Sequence, residues 1–184
     1  MRPYFLVAYN FVRFNAKKFL GCRNFHFSPI EMLGMNTKLT LHKKSSVCFG
    51  DRLISDGRMV IITDSNSKLQ LGNGVYFNEN AMISCKSQIT VGDGCRFGPN
   101  VKIFDNNHLY SASSGVSSEH VTSPISIGKN CWIGANVVIL RGTSIADNSV
   151  IGAGCIVQGS IPEGSLVTQD RTLIVRPIEE RTKI

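Results

Sequence analysis

Along the second half of the chain an aliphatic side chain returns every six residues, at Ile127, Ile133, Ile139, Ile145, Ile151 and Val157. The next position is glycine at Gly128, Gly134 and Gly152, and the fifth is small or β-branched at Cys131, Val137, Thr143, Ser149 and Cys155. A helix repeats its apolar face every three or four residues and a half-buried strand every second one, so neither explains this period. The pattern predicts one short strand and one tight corner per unit, with glycine where crowding or backbone torsion excludes a side chain. Three units make a coil of about eighteen residues; coils stacked roughly 4.8 Å apart bury the aliphatic row. The expected fold is all-β, a triangular prism of parallel strands.

The row continues upstream through Leu71, Phe77, Ile83 and Ile89, then after a two-residue shift through Val91, Phe97 and Ile103. It is faintest at Phe49, Ser55, Met59 and Ile61. These rows assign residues 47–165 to the prism, 1–46 to an N-terminal segment of amphipathic helix and capping coil, and 166–184 to a C-terminal tail. From about 104 to 124 nothing keeps the period. An aperiodic insertion of that length in a rigid wall is the first place to look for chemistry.

At 184 residues the chain has the size of one ordinary domain. The apolar run Tyr4–Val12 is about half the length of a membrane span and lacks a small-residue cleavage site, so neither a span nor a secretory signal is expected. Six cysteines show no CxxC spacing; with Cys95, Cys131 and Cys155 at core positions, they read as buried free thiols in a reducing cytoplasm, and no metal site is expected. The net charge of +7 resides in residues 1–44, where eight basic side chains face one acid, Glu31. Six of the ten phenylalanines lie there too, and a helix over 4–20 would put Asn10, Arg13 and Lys17 on one face. Such a segment suits either a cap on the open end of the prism or the surface of an anionic membrane at its inner, cytoplasmic face, through residues 1–20. No nucleic-acid module is present, and no nucleic-acid partner is expected.

Two of the four histidines, His108 and His120, fall in the insertion. Imidazole is the usual general base near neutral pH. His108 follows a packed strand ending at Ile103, and Asp105, three residues earlier, is placed to accept a proton from its second ring nitrogen and fix its tautomer.

The stretch Ile127-Gly-Lys-Asn-Cys-Trp132-Ile-Gly134-Ala135, continued by Val150-Ile-Gly-Ala153-Gly-Cys-Ile-Val-Gln-Gly-Ser-Ile161-Pro162, resembles the hexapeptide-repeat acyltransferases. The branch it resembles comprises the maltose and galactoside O-acetyltransferases and the enzymes that O-acetylate capsular and lipopolysaccharide sugars. The resemblance spans about residues 70–178. It implies a left-handed parallel β-helix, a homotrimer, and acetyl-CoA held between neighbouring prisms. It implies His108 as the catalytic base at the start of the protruding loop. It further implies cofactor contacts at Trp132, Gly134, Ala135, Ala153, Arg171 and Arg176, and acceptor contacts at Asn78 and Lys86.

The chain departs from the family pattern at Ser165–Arg171, at Gly159 in place of a usual lysine, and at Lys86 in place of a usual acid. Arg171 is the candidate replacement for a missing cation, and the change at Lys86 argues against a simple maltose or galactoside acceptor. The expected reaction is direct acetyl transfer to a hydroxyl of a surface glycan, with His108 as base. Rival readings are an N-acyl or xenobiotic acetyltransferase of the same fold, a zinc hydratase needing three converging histidines, and a non-catalytic prism.

Overall fold

The computed structural model describes residues 2–170, with side chains from Tyr4 onward. Helix α1 (Arg2–Leu20) is followed by a left-handed parallel β-helix. Its first wall has seven strands, from Asn24–His26 through Ser46–Phe49 and Ile125–Ile127 to Ser160–Ile161. The second wall runs from Ile54–Ser55 through Trp132–Ile133 to Leu166–Val167, and the third from Lys38–Thr40 through Lys102–Phe104 to Ile156–Val157, with six strands each.

In the upper coils Ile127 stacks on Ile145, Ile133 on Ile151 and Ile139 on Val157, each 18 residues on. All these side chains are buried, as are Cys131 and Cys155 beside them. Lower down, Val47 stacks on Leu69 and Leu69 on Ile89, so the coils lengthen to 22 and then 20 residues. The added residues lengthen the strands of the first and third walls, as in Met59–Thr63 and Ala81–Cys85, with alternating buried and half-buried side chains. This explains the two-residue shift and the fading of the row upstream. The coils also begin earlier than expected: Phe25 stacks on Val47, which brings residues 24–40 into the same walls.

Corner glycines answer to crowding. A Cβ on Gly92 would lie 2.7 Å from the Gly128 carbonyl, and one on Gly134 would lie 2.7 Å from the Ala153 nitrogen. The left-handed torsions of the corners fall elsewhere, on residues such as Asn130 and Asn136 at φ 54° and 57°.

Helix α1 lies over the open lower end. Phe14, fully buried, packs on the interior rings of Phe25 and Phe49 at centroid separations of 5.3 and 6.0 Å. Asn10 Nδ2 donates to the Leu33 carbonyl at 2.8 Å, and Arg13 donates to the Thr37 carbonyl. The face shared by Asn10, Arg13 and Lys17 is therefore turned toward the prism, and burial lowers the pKa of Arg13. Five of the six cysteines are buried free thiols; Cys48 is the exception, pointing outward from the first wall.

Candidate active site on the protruding hairpin

The insertion has its own order. Asn106–Ser111 and Gly115–Thr122 pair antiparallel as a hairpin that leaves the edge between the third and first walls. Its turn uses Gly115 at φ 68°, with the Ser111 hydroxyl accepting from the Ser114 nitrogen at 3.0 Å.

Asp105 anchors the root of this hairpin. Fully buried, it takes the interior place that Cys85 fills one coil below. Its carboxylate accepts from the backbone nitrogens of Lys86 at 2.8 Å and Ser87 at 2.7 Å, and from Asn106 Nδ2 at 3.0 Å. Burial first, and then the Asp105 charge, push the Cys85 thiol up to about 12. At the other end of the insertion the Ser123 nitrogen donates to the Asp105 carbonyl at 2.9 Å. These bonds correct the expected role of Asp105. Its carboxylate is committed to the wall, and His108 Nδ1 pairs instead with the Ser117 carbonyl across the hairpin at 3.0 Å. A carbonyl only accepts, so this bond puts the proton of a neutral His108 on Nδ1 and leaves the Nε2 lone pair available.

His120 stands directly opposite His108, their ring centroids 4.1 Å apart. Its pKa is lowered, first by partial desolvation and then by the neighbouring Lys86 ammonium and His108. Lys86 lies under the hairpin and forms an ion pair with Asp64 at 3.0 Å. A bond from the Ser65 nitrogen, then Lys86, hold the Asp64 carboxyl below its ordinary range. Of the two expected acceptor residues, Lys86 is thus brought to the hairpin edge. Asn78 is not: it sits on the corner between the second and third walls, its Oδ1 accepting from the Glu79 nitrogen at 2.7 Å.

That second corner gathers most of the expected cofactor residues. Trp132 points outward from the second wall, 58% exposed, in register with Arg96 below and Val150 above. Gly134, Ala135 and Ala153 follow at the corner, where close stacking admits no larger side chain at Gly134. An exposed indole beside a strip without bulk suits a narrow, flexible thiol arm. Arg171 and Arg176 lie outside the described residues.

Sequence reasoning placed His108 but gave little weight to His120, and did not name Ser117 or Asp64. Gly115 and the serines before it were the available turn signal; reading a hairpin there would have placed residue 120 opposite 108. The remaining histidines, His26 and His42, lie in the lowest coil. Among the described residues no group of three or more His, Cys, Asp or Glu side chains could hold a metal ion.

The family described as the hexapeptide repeat of succinyl-transferase matches residues 124–158. The galactoside O-acetyltransferase of Escherichia coli K12 is 37% identical over 117 residues, covering 64% of this chain and 58% of that protein. The chain thus spans less than two thirds of that relative. WbbJ of the same organism, named for lipopolysaccharide biosynthesis O-acetyl transfer, is 26% identical over 153 residues and 78% of each chain. A hexapeptide-repeat acetyltransferase of Vibrio cholerae, solved with acetyl coenzyme A, shares the fold at TM-score 0.56 and 21% identity, over 84% of this chain and 69% of that one. Together with the six-residue period and its stacked coils, these matches make the chain similar to the hexapeptide-repeat acyltransferases, with residues 124–158 matching the repeat itself.

Proposed function

We propose that the protein transfers an acetyl group from acetyl-CoA to a hydroxyl of a sugar in a bacterial capsular or lipopolysaccharide glycan. The observation that carries the chemistry is the bond from His108 Nδ1 to the Ser117 carbonyl, which leaves Nε2 unprotonated on a hairpin anchored by Asp105. The relatives named for galactoside and lipopolysaccharide O-acetylation support the reaction class.

Acetyl-CoA supplies the activated acyl thioester. His108 Nε2 takes the proton of the sugar hydroxyl as its oxygen becomes the nucleophile, and the imidazolium can return that proton to the departing thiolate. No covalent acyl-enzyme is required, and the candidate thiols Cys131 and Cys155 are buried in the core. Trp132, Gly134, Ala135 and Ala153 are the residues that would hold the thiol arm.

His108 and the Trp132 corner occupy different edges of one prism. A homotrimer that sets the hairpin edge of one copy against the corner of the next would bring the two halves together, and Asn78 with them. The reading is tested by thermal shift with coenzyme A alongside thiol release from acetyl-CoA across capsular and lipopolysaccharide fragments. Stabilisation with acceptor-dependent release is expected. No stabilisation and no release would return the chain to a non-catalytic prism.

A further inference from the structure

Helix α1 turns a mixed stripe inward and leaves a largely apolar one outside. Asn10, Arg13, Phe14 and Lys17 face the prism, whereas Tyr4, Ala8, Phe11, Val12 and Phe19 are exposed along the outer face at helical spacing, with Asn15 the polar side chain among them. Phe19 is 85% exposed and Leu20 beside it 82%. Met35, exposed beside Phe5, extends the patch on the same end of the molecule. Eight of the fourteen exposed large hydrophobic residues among the described chain fall within residues 4–35, so the patch is local to this end.

Cations border it. Lys18 and Arg23 line a shallow cleft with Phe19, and Lys38, Lys43 and Lys44 are exposed in the lowest coil. The segment's one acid, Glu31, is buried with its carboxylate on the Ser28 and Leu53 nitrogens, so it presents little negative charge outward. At the opposite rim Asp56 lines a groove with Phe5, Met32 and Met35, and it accepts from the Tyr76 hydroxyl.

From this arrangement we propose that the outer face of α1 docks on an anionic lipid bilayer, the helix lying flat with its aromatic side chains among the headgroups. A helix of 19 residues is roughly 28 Å long, and it is not apolar enough to cross. Charge selects this occupant over a second copy of the chain, which would bring an equally basic end against the first. The aromatic and aliphatic stripe selects it over a nucleic acid, whose phosphates would meet Val12 and Leu20 along the helix. Bonds from Asn10 and Arg13 to the first coil hold the helix in place, so docking needs no rearrangement. The proposal is independent of the transfer reaction.

The test is co-sedimentation of the full chain with vesicles of phosphatidylcholine alone and of phosphatidylcholine mixed with phosphatidylglycerol. Wild type should pellet with the mixed vesicles and stay in solution with the neutral ones. Phe11→Ser/Phe19→Ser and Lys18→Glu/Arg23→Glu should each weaken partition about tenfold or more, with melting temperature and sedimentation coefficient unchanged in the absence of lipid. Wild type remaining in solution with anionic vesicles would overturn the proposal, as would partition indifferent to both variants. A phenylalanine variant that lowers the oligomeric state without lipid would assign the face to contacts between copies instead.

Discussion

The prism wall and the hairpin it carries are built on opposite principles. In the wall every coil repeats one solution: Ile133 on Ile151, Ile139 on Val157, a small residue between, and glycine where coils close to contact. Its inward side chains are buried and chemically inert. The hairpin buries little, repeats nothing, and presents His108 and Tyr110 to solvent beside a half-buried His120, with a backbone carbonyl orienting the first. Between them stands Asp105, a wall position occupied by a charge so that the wall can hold the insertion. On the proposed reading, stability and chemistry lie in separate residues joined at one point, so substitutions should separate them too.

The widest separation is expected at His108. His108→Ala should lower turnover by about 10²–10⁴ while melting temperature stays within a degree or two, because the side chain is exposed. The reverse is expected in the wall: Ile133→Ala should cost about 2–5 kcal/mol of stability, read by denaturant unfolding of the intact assembly. Asp105→Asn tests the joint. Losing the charge leaves one of the Lys86 and Ser87 nitrogens facing an amide donor, at about 1–3 kcal/mol, and should lower turnover as well because the hairpin root shifts. Loss of stability alone, with turnover unchanged, would break the link between wall and hairpin.

Glu31 gives a smaller, pH-dependent effect at the base of the wall. Burial raises its pKa from 4.5 to about 7, against the opposing bonds from the Leu53 and Ser28 nitrogens. Its folded value exceeds its unfolded one, so its contribution to stability is complete below about pH 4.5 and is lost as pH rises through 7. Asp64 and Asp93, whose values are lowered, act oppositely and only in acid. Between pH 5 and 8 wild type should therefore lose on the order of 1–3 kcal/mol that Glu31→Gln does not lose. Equal slopes for the two proteins would contradict this. The smallest effect is expected at His120: His120→Gln should change maximal turnover only a few-fold but move the pH profile, because it removes a titrating neighbour 4.1 Å from His108.

Legibility follows the same division. Ile127 to Val157 could be read from sequence because each strand is short and each coil contributes the same three pairs. The row faded at Met59 and Ile61 because the third wall lengthens there, which breaks a six-residue count without breaking the fold. Residues 24–40 gave no clear signal for a related reason, since buried Thr37 stands one coil below Met59 in place of an apolar side chain. In α1 the amphipathic pattern was plain, but which face turned inward depended on the Leu33 and Thr37 carbonyls, which a sequence does not display. At the site, His108 was legible from its place after a strand. Asp105 was misassigned because spacing along the chain suggested a partner that the turn of the backbone put into the core. Ser117 orients the imidazole through its carbonyl, a group every residue owns, so its identity left no trace.

The central claim is that His108, held through Nδ1 on a hairpin the wall supports, removes the acceptor proton. Its most direct test is acceptor-dependent thiol release from acetyl-CoA by wild type and His108→Ala, with coenzyme A thermal shift on both. The account predicts that release is lost in the variant while coenzyme A stabilises both proteins equally. Release that persists at wild-type rate in His108→Ala would contradict it.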